Sequence, residues 1–212
     1  MADMAKFGRW RGLTAIACVA AALAGCAGGD TRPEVPAAAA KAPLPVLRSG
    51  YACCNLHHSG DRIGDANSAQ LPFIPVGTPV TVRRIEAARA ELEIEGKAMQ
   101  FVLDGGRPGA TAQEWVDKLV IAEDPRQRLE RYPANVRNAI RAGQLMKGMS
   151  REQVTMALGH AQTDPARPGI GSQSRYWWTS FVPFYVHWAK NGTVARVEGP
   201  AEALAQLIYK GK

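Results

Sequence analysis

The sequence lacks the short patterns that mark common catalytic machinery: there is no Gly-x-Ser-x-Gly elbow, no glycine-rich phosphate loop and no His-Glu-x-x-His pair. Each of those spacings has a mechanical basis, so their absence points away from serine hydrolases, nucleotide hydrolases and zinc peptidases. Long apolar runs are also missing. The stretch from Leu13 to Leu23 falls well short of the roughly 20 residues a helix needs to cross a bilayer. Cysteine is scarce, with 4 in the chain, at positions 18, 26, 53 and 54. A cysteine peptidase sets its nucleophile at a helix start, where the thiolate is stabilised; Cys53 and Cys54 lie instead in strand-like sequence. The expectation is a protein without catalytic activity.

What is present begins with three ordered features. Lys6, Arg9 and Arg11 form a basic stretch, the Ala-rich run from Leu13 to Leu23 follows, and then comes Leu23-Ala24-Gly25-Cys26. This is the build of a signal peptide, covering 1–25 and excluded from fold reasoning. Its last four residues resemble the lipobox at which bacterial lipoproteins are acylated and cleaved. The resemblance implies lipidation of Cys26, palmitate among the acyl groups, and a mature chain that starts there. Several acyl chains on one cysteine make a stable anchor, where a single chain would not. In enteric lipoproteins an aspartate after the cysteine retains the protein at the inner membrane. Ala27 stands there, which implies the outer membrane, with the body facing the periplasm.

The formal net charge of +7 is unevenly spread. From Cys26 to Tyr132 the chain has 13 basic and 14 acidic side chains, and from Pro133 to Lys212 it has 10 basic against 4 acidic. For an exported protein this basic half suits anionic lipid head groups or an acidic protein face better than nucleic acid, which is not expected as a partner.

With Cys18 leaving in the signal and Cys26 acylated, any intramolecular disulfide must join Cys53 to Cys54. The segment Cys53-Cys54-Asn55-Leu56-His57-His58 also contains soft and borderline metal ligands. On an extended strand Cys53 and His57 share a face but stand roughly 13 Å apart at about 3.3 Å per residue, and Cys54 and His58 do the same. These four are therefore weak metal candidates; no metal and no cofactor is expected.

Residues 26–47 read as a linker rich in Ala and Pro; if flexible, such a length reaches roughly 25 Å. Over 48–106, Val80-Thr81-Val82 after Gly77-Thr78-Pro79, and the alternation of Ala90, Leu92 and Ile94 with Glu91, Glu93 and Glu95, predict short strands in a small antiparallel β domain that is barrel-like. The segment from Val76 to Val82 resembles the first strand of bacterial Src-homology-type barrels. A helical connector over 107–132 starts at Thr111-Ala112-Gln113-Glu114, which has capping-box spacing, and restarts at Asp124-Pro125 with a short helix bearing Leu129.

In 133–198, Pro133 opens a helix with Val136 and Ile140 four apart, ended by Gly143. Ser150 and Gln153 form a second capping box, stapled by Met149 and Val154, and Gly159 is placed as a left-handed cap. Two aromatic strands follow, and Asn191-Gly192 predicts a type I′ hairpin. Lys147-Gly148-Met149-Ser150-Arg151-Glu152-Gln153-Val154 and Leu158-Gly159, followed by Tyr176-Trp177-Trp178, Phe184-Tyr185-Val186 and Asn191-Gly192, resemble the SmpA/OmlA (BamE) lipoprotein domain. The resemblance implies two helices on a three-stranded antiparallel sheet, giving an α+β chain overall. It also implies an accessory role beside the machine that inserts β-barrels into the outer membrane. The chain departs from the family after Gly159, where His160 and Ala161 replace the customary proline. A tail helix is predicted within 199–212.

Strand alternation that buries Phe184, Val186 and Trp188 turns Tyr185 and His187 outward, and sends one of Trp177 and Trp178 with them. Trp177, Tyr185 and His187 are thus the candidate partner contacts. The overall expectation is a scaffolding lipoprotein of the cell envelope. The rivals are a peptidoglycan-binding tether and a thiol-redox or metal protein using Cys53, Cys54 and His57.

Overall fold

The computed structural model describes residues 45–104, 109–162 and 173–211. The signal peptide, Cys26 and most of the linker lie outside these. The described residues belong to one unit by their contacts, with two apolar cores. The architecture is mixed α+β, with five helices and several sheets among the described residues, one sheet being curled into a half-barrel.

That sheet holds β1 (Arg48–Ala52), β3 (Arg62–Gly64), β5 (Pro79–Ile85), β6 (Arg89–Ile94), β7 (Lys97–Val102) and β8 (Val120–Ile121), in the order β3-β7-β6-β5-β1-β8. Alternation drives it: Val80, Val82, Ala90, Leu92, Ile94, Met99 and Phe101 are all buried on one face, while the intervening residues are half-buried or exposed. The turn from β6 to β7 takes positive φ at both Glu95 and Gly96, the primed geometry whose twist matches paired strands. The predicted antiparallel sheet has one exception. β3 runs parallel to β7, with Ile63 opposite Phe101; the long excursion from Asp65 to Gly96 supplies the crossover a parallel pair requires.

Helix α1 (Ala112–Leu119) closes this core with Ala112, Trp115, Val116 and Leu119. Its Thr111 and Glu114 form the reciprocal capping box read from sequence, and Trp115 lies 6.2 Å from the Phe101 ring. The helix ends at Leu119, and Val120 begins β8.

The second core packs α3 (Ala134–Arg141) and α4 (Arg151–Leu158) on the sheet β11-β10-β9, made of β9 (Gln173–Thr179), β10 (Val182–Trp188) and β11 (Val194–Glu198). Leu129, from the short α2 (Arg126–Leu129), and Ala203 and Leu207, from α5 (Ala201–Leu207), complete it. Ser150 and Gln153 make the second capping box, with Met149 and Val154 both buried.

Two details differ from expectation. The β10–β11 hairpin is not a type I′ turn: only Gly192 of the pair has positive φ. The Gly192 N–H donates to the Ala189 carbonyl at 2.9 Å and the Ala189 N–H to the Thr193 carbonyl at 2.8 Å. This is a type I turn followed by a left-handed glycine, and the register slips beside Trp188 as a bulged hairpin demands. Gly159 does end α4 with φ 79°, but its ψ of −169° is extended rather than left-handed helical, a region open essentially to glycine alone. A Cβ there would come within 2.4 Å of Asn67 Nδ2.

Candidate functional site

The segment that follows β1 carries most of the chemistry-bearing side chains. After Ala52 the chain leaves the sheet; the Cys53 N–H donates to the Leu119 carbonyl at 2.9 Å, and Cys53 and Cys54 are joined as a vicinal disulfide. Next comes Asn55, which is wholly buried. Its backbone N–H donates to Met156 O at 2.9 Å. Its Nδ2 donates to Ile140 O at 2.8 Å and to Ala157 O at 3.0 Å, while its Oδ1 accepts from Val76 N at 3.0 Å. Asn67 Nδ2 adds a bond to Leu158 O at 2.5 Å, and the Gly159 N–H donates to Thr155 O. The last four carbonyls of a helix have no partner inside it. In α4 two asparagines take three of them and Gly159 takes the fourth. The segment thus bonds the ends of α3 and α4 directly, one of the links between the two cores.

His57, in β2 (Leu56–His57), is equally structural. β2 pairs with β4 (Phe73–Ile74). The His57 ring packs edge-on to Phe73 with centroids 5.2 Å apart, its backbone N–H donates to Asn67 Oδ1, and its Nδ1 lies 2.8 Å from the Leu71 carbonyl. A carbonyl only accepts, so Nδ1 carries the proton. Burial holds the His57 pKa below its ordinary value, against an opposing pull from the Leu71 carbonyl. His58 sits outside, with Nδ1 2.9 Å from Gly60 O. Of the candidate ligands, Cys53 and Cys54 are bonded to each other and His57 is held by Leu71. Among the described residues no group of three or more His, Cys, Asp or Glu side chains is disposed to hold a metal ion.

The histidine that the fold does bring to the sulfurs is His160. Its Nε2 lies 3.8 Å from Cys53 Sγ and 3.4 Å from the Lys118 carbonyl. Sequence reading could not find this contact, because 107 positions separate the two residues and no local pattern links them. Asn55 was passed over for a similar reason, since its partners are backbone carbonyls and leave no mark on residue type.

On the C-terminal sheet, Tyr176, Trp178, Phe184, Val186 and Trp188 are buried. The opposite face carries Arg175, Trp177, Tyr185, His187, Arg196 and Glu198 by register. The three candidate contacts therefore share that face, each half-buried. Arg175 stacks over Trp177 at 5.4 Å, and Glu198 accepts from His187 at 2.9 Å and from Arg196. Phe181, in the β9–β10 turn, is 90% exposed. With Trp177 it borders a cleft of about 660 Å³ that also touches Arg62, Asn67 and Asp104.

No family model matches this chain, and no curated protein and no solved structure matches it. Among the described residues no helix is long and apolar enough to cross a membrane.

Proposed function

We propose that this protein is a lipid-anchored, non-catalytic scaffold of the cell envelope. Cys26 tethers it to the outer membrane, the body faces the periplasm, and it contributes to outer-membrane protein assembly. The body divides into a barrel-like module over 48–106 and a BamE/SmpA-like domain over 133–198, joined by the helical connector. The observation that carries this reading is the order basic stretch, short apolar run, Leu23-Ala24-Gly25-Cys26 at the N-terminus. The segment from Lys147 to Val154, with its capping box and staple, supports the assignment of the second domain.

The partner surface is the outer face of the C-terminal sheet, where Trp177, Tyr185 and His187 lie together and Phe181 extends beyond them. The free edge of β9 is already used, because the Ala69 and Gln70 N–H groups donate to the Trp177 and Trp178 carbonyls. A partner therefore docks on the face rather than adding a strand there. The test is in-cell cross-linking followed by detergent extraction of outer membranes and mass spectrometry, with Cys26→Ala as untethered control and Phe181→Ser as surface control. Enrichment of the barrel-assembly machine, lost in both variants, supports the proposal. Recovery with muropeptides, or without that machine, overturns it.

A further inference from the structure

The Cys53–Cys54 pair is not absorbed by a scaffolding role. Both cysteines are buried, but Cys53 keeps 8% exposure whereas Cys54 has none, so Cys53 is the one of the pair that borders solvent. His160 Nε2 faces two groups that can only accept, the Lys118 carbonyl and the bonded sulfur of Cys53. Nε2 therefore bears the hydrogen and shares it between them. Burial keeps the His160 pKa below its ordinary value, with Lys118 as the nearby charge, so the ring is a neutral donor near neutral pH.

We propose that Cys53, Cys54 and His160 form a thiol–disulfide exchange site for a dithiol or disulfide partner, in which Cys53 is the attacked sulfur, Cys54 the resolving thiol and the His160 Nε2–H the group that holds the Cys53 thiolate. In the reducing direction a thiolate of the dithiol attacks Cys53 Sγ. The mixed disulfide forms as the Cys53–Cys54 bond breaks, and Cys54 leaves with the electron pair and takes up a proton. The second thiolate of the reductant then attacks its own sulfur in the mixed disulfide. The reductant closes to a disulfide, and Cys53 departs as a thiolate onto the His160 N–H before it too is protonated. Two electrons and two protons pass from the dithiol to the pair. Oxidation by a disulfide partner runs the same steps backwards and starts from the Cys53 thiolate, whose population the donor raises.

The test uses the full chain, with thiols mapped by peptide mass spectrometry so that each cysteine is read separately. Acid-trapped native protein should carry the bonded pair, and limiting dithiothreitol should give a mixed disulfide at Cys53 first. In Cys54→Ala, Cys53 should react with an aromatic disulfide probe at least about tenfold faster than Cys54 does in Cys53→Ala, the difference expected between a stabilised thiolate at the edge of the core and a wholly enclosed thiol. Adding His160→Leu to Cys54→Ala should move the pH–rate profile of Cys53 upward and slow it about tenfold at neutral pH, one unit of thiol pKa. His160→Gln, which keeps an N–H donor, should restore part of the rate. First reaction at Cys54, an unmoved profile in His160→Leu, or a native pair found as two thiols that resist oxidation would each overturn the proposal.

Discussion

Asn55 donates its side-chain amide to the Ala157 carbonyl across 102 positions of sequence, and through the same nitrogen to Ile140. One buried residue in a three-residue gap between strands thereby satisfies backbone groups at the ends of two helices. Replacing it by Ala removes three side-chain hydrogen bonds and strands the Val76 N–H and the Ala157 carbonyl in the interior. A net of about 1 kcal/mol per bond, with a surcharge for buried orphans, predicts a loss of about 3 kcal/mol for Asn55→Ala. Urea denaturation measures it; a loss below about 1 kcal/mol would mean that water reaches these groups.

At the β6–β7 turn the expected change has the opposite sign. Glu95 holds φ 52°, a left-handed conformation that costs a residue of its shape and suits asparagine. Since Asn-Gly is the favoured pair for a primed hairpin, Glu95→Asn should stabilise the fold by about 0.5–1 kcal/mol. A rise in the unfolding midpoint with unchanged denaturant slope is the expected result. A fall would show that the Glu95 side chain contributes more than its backbone strain removes.

The buried histidine sets a pH dependence. His57 has a folded pKa held below its ordinary 6.5, chiefly by burial and to a lesser degree by His58. The unfolded chain therefore binds more protons, and stability rises with pH across the interval between the two values. The contribution is complete above about pH 6.5 and is lost as pH falls through the lowered folded value. Stability curves between pH 7.5 and 5 should decline for the native protein and be flatter for His57→Gln. Equal slopes in the two would assign the decline to other groups, of which His160 is the first to substitute.

Local rules carried the sequence reading a long way and stopped where the chain meets itself. Both capping boxes, the staple of Met149 and Val154, and the inward set Phe184, Val186 and Trp188 follow from spacings of three, five and two residues, and all stand in the structure. The Asn191-Gly192 turn was misjudged because the dipeptide serves two hairpin geometries, and the slipped register beside Trp188 selects between them. The parallel pairing of Arg62–Gly64 with β7 was hidden, since a short strand of one buried and two more open residues carries no direction. Placing His160 against Cys53 depends on how two cores dock, which no periodicity encodes. The role of Cys26 lies outside the described residues and stays with its motif.

The asparagine contacts at the end of α4 bear on how the chain acquires its structure. Residues 52–67 leave the ribosome well before the helices whose carbonyls they complete, so an earlier-made segment waits for later-made ones. Closing so long a loop is a non-local event that lowers folding speed. A fragment starting at Pro133 would lose Val76 and Leu129 from its core, leave three α4 carbonyls to water, and would fray at that end. Shuffled onto another N-terminal module, the same helices would need a pair of amide side chains in the same two places. The boundary between modules is therefore not a place where this protein can be cut and rejoined freely.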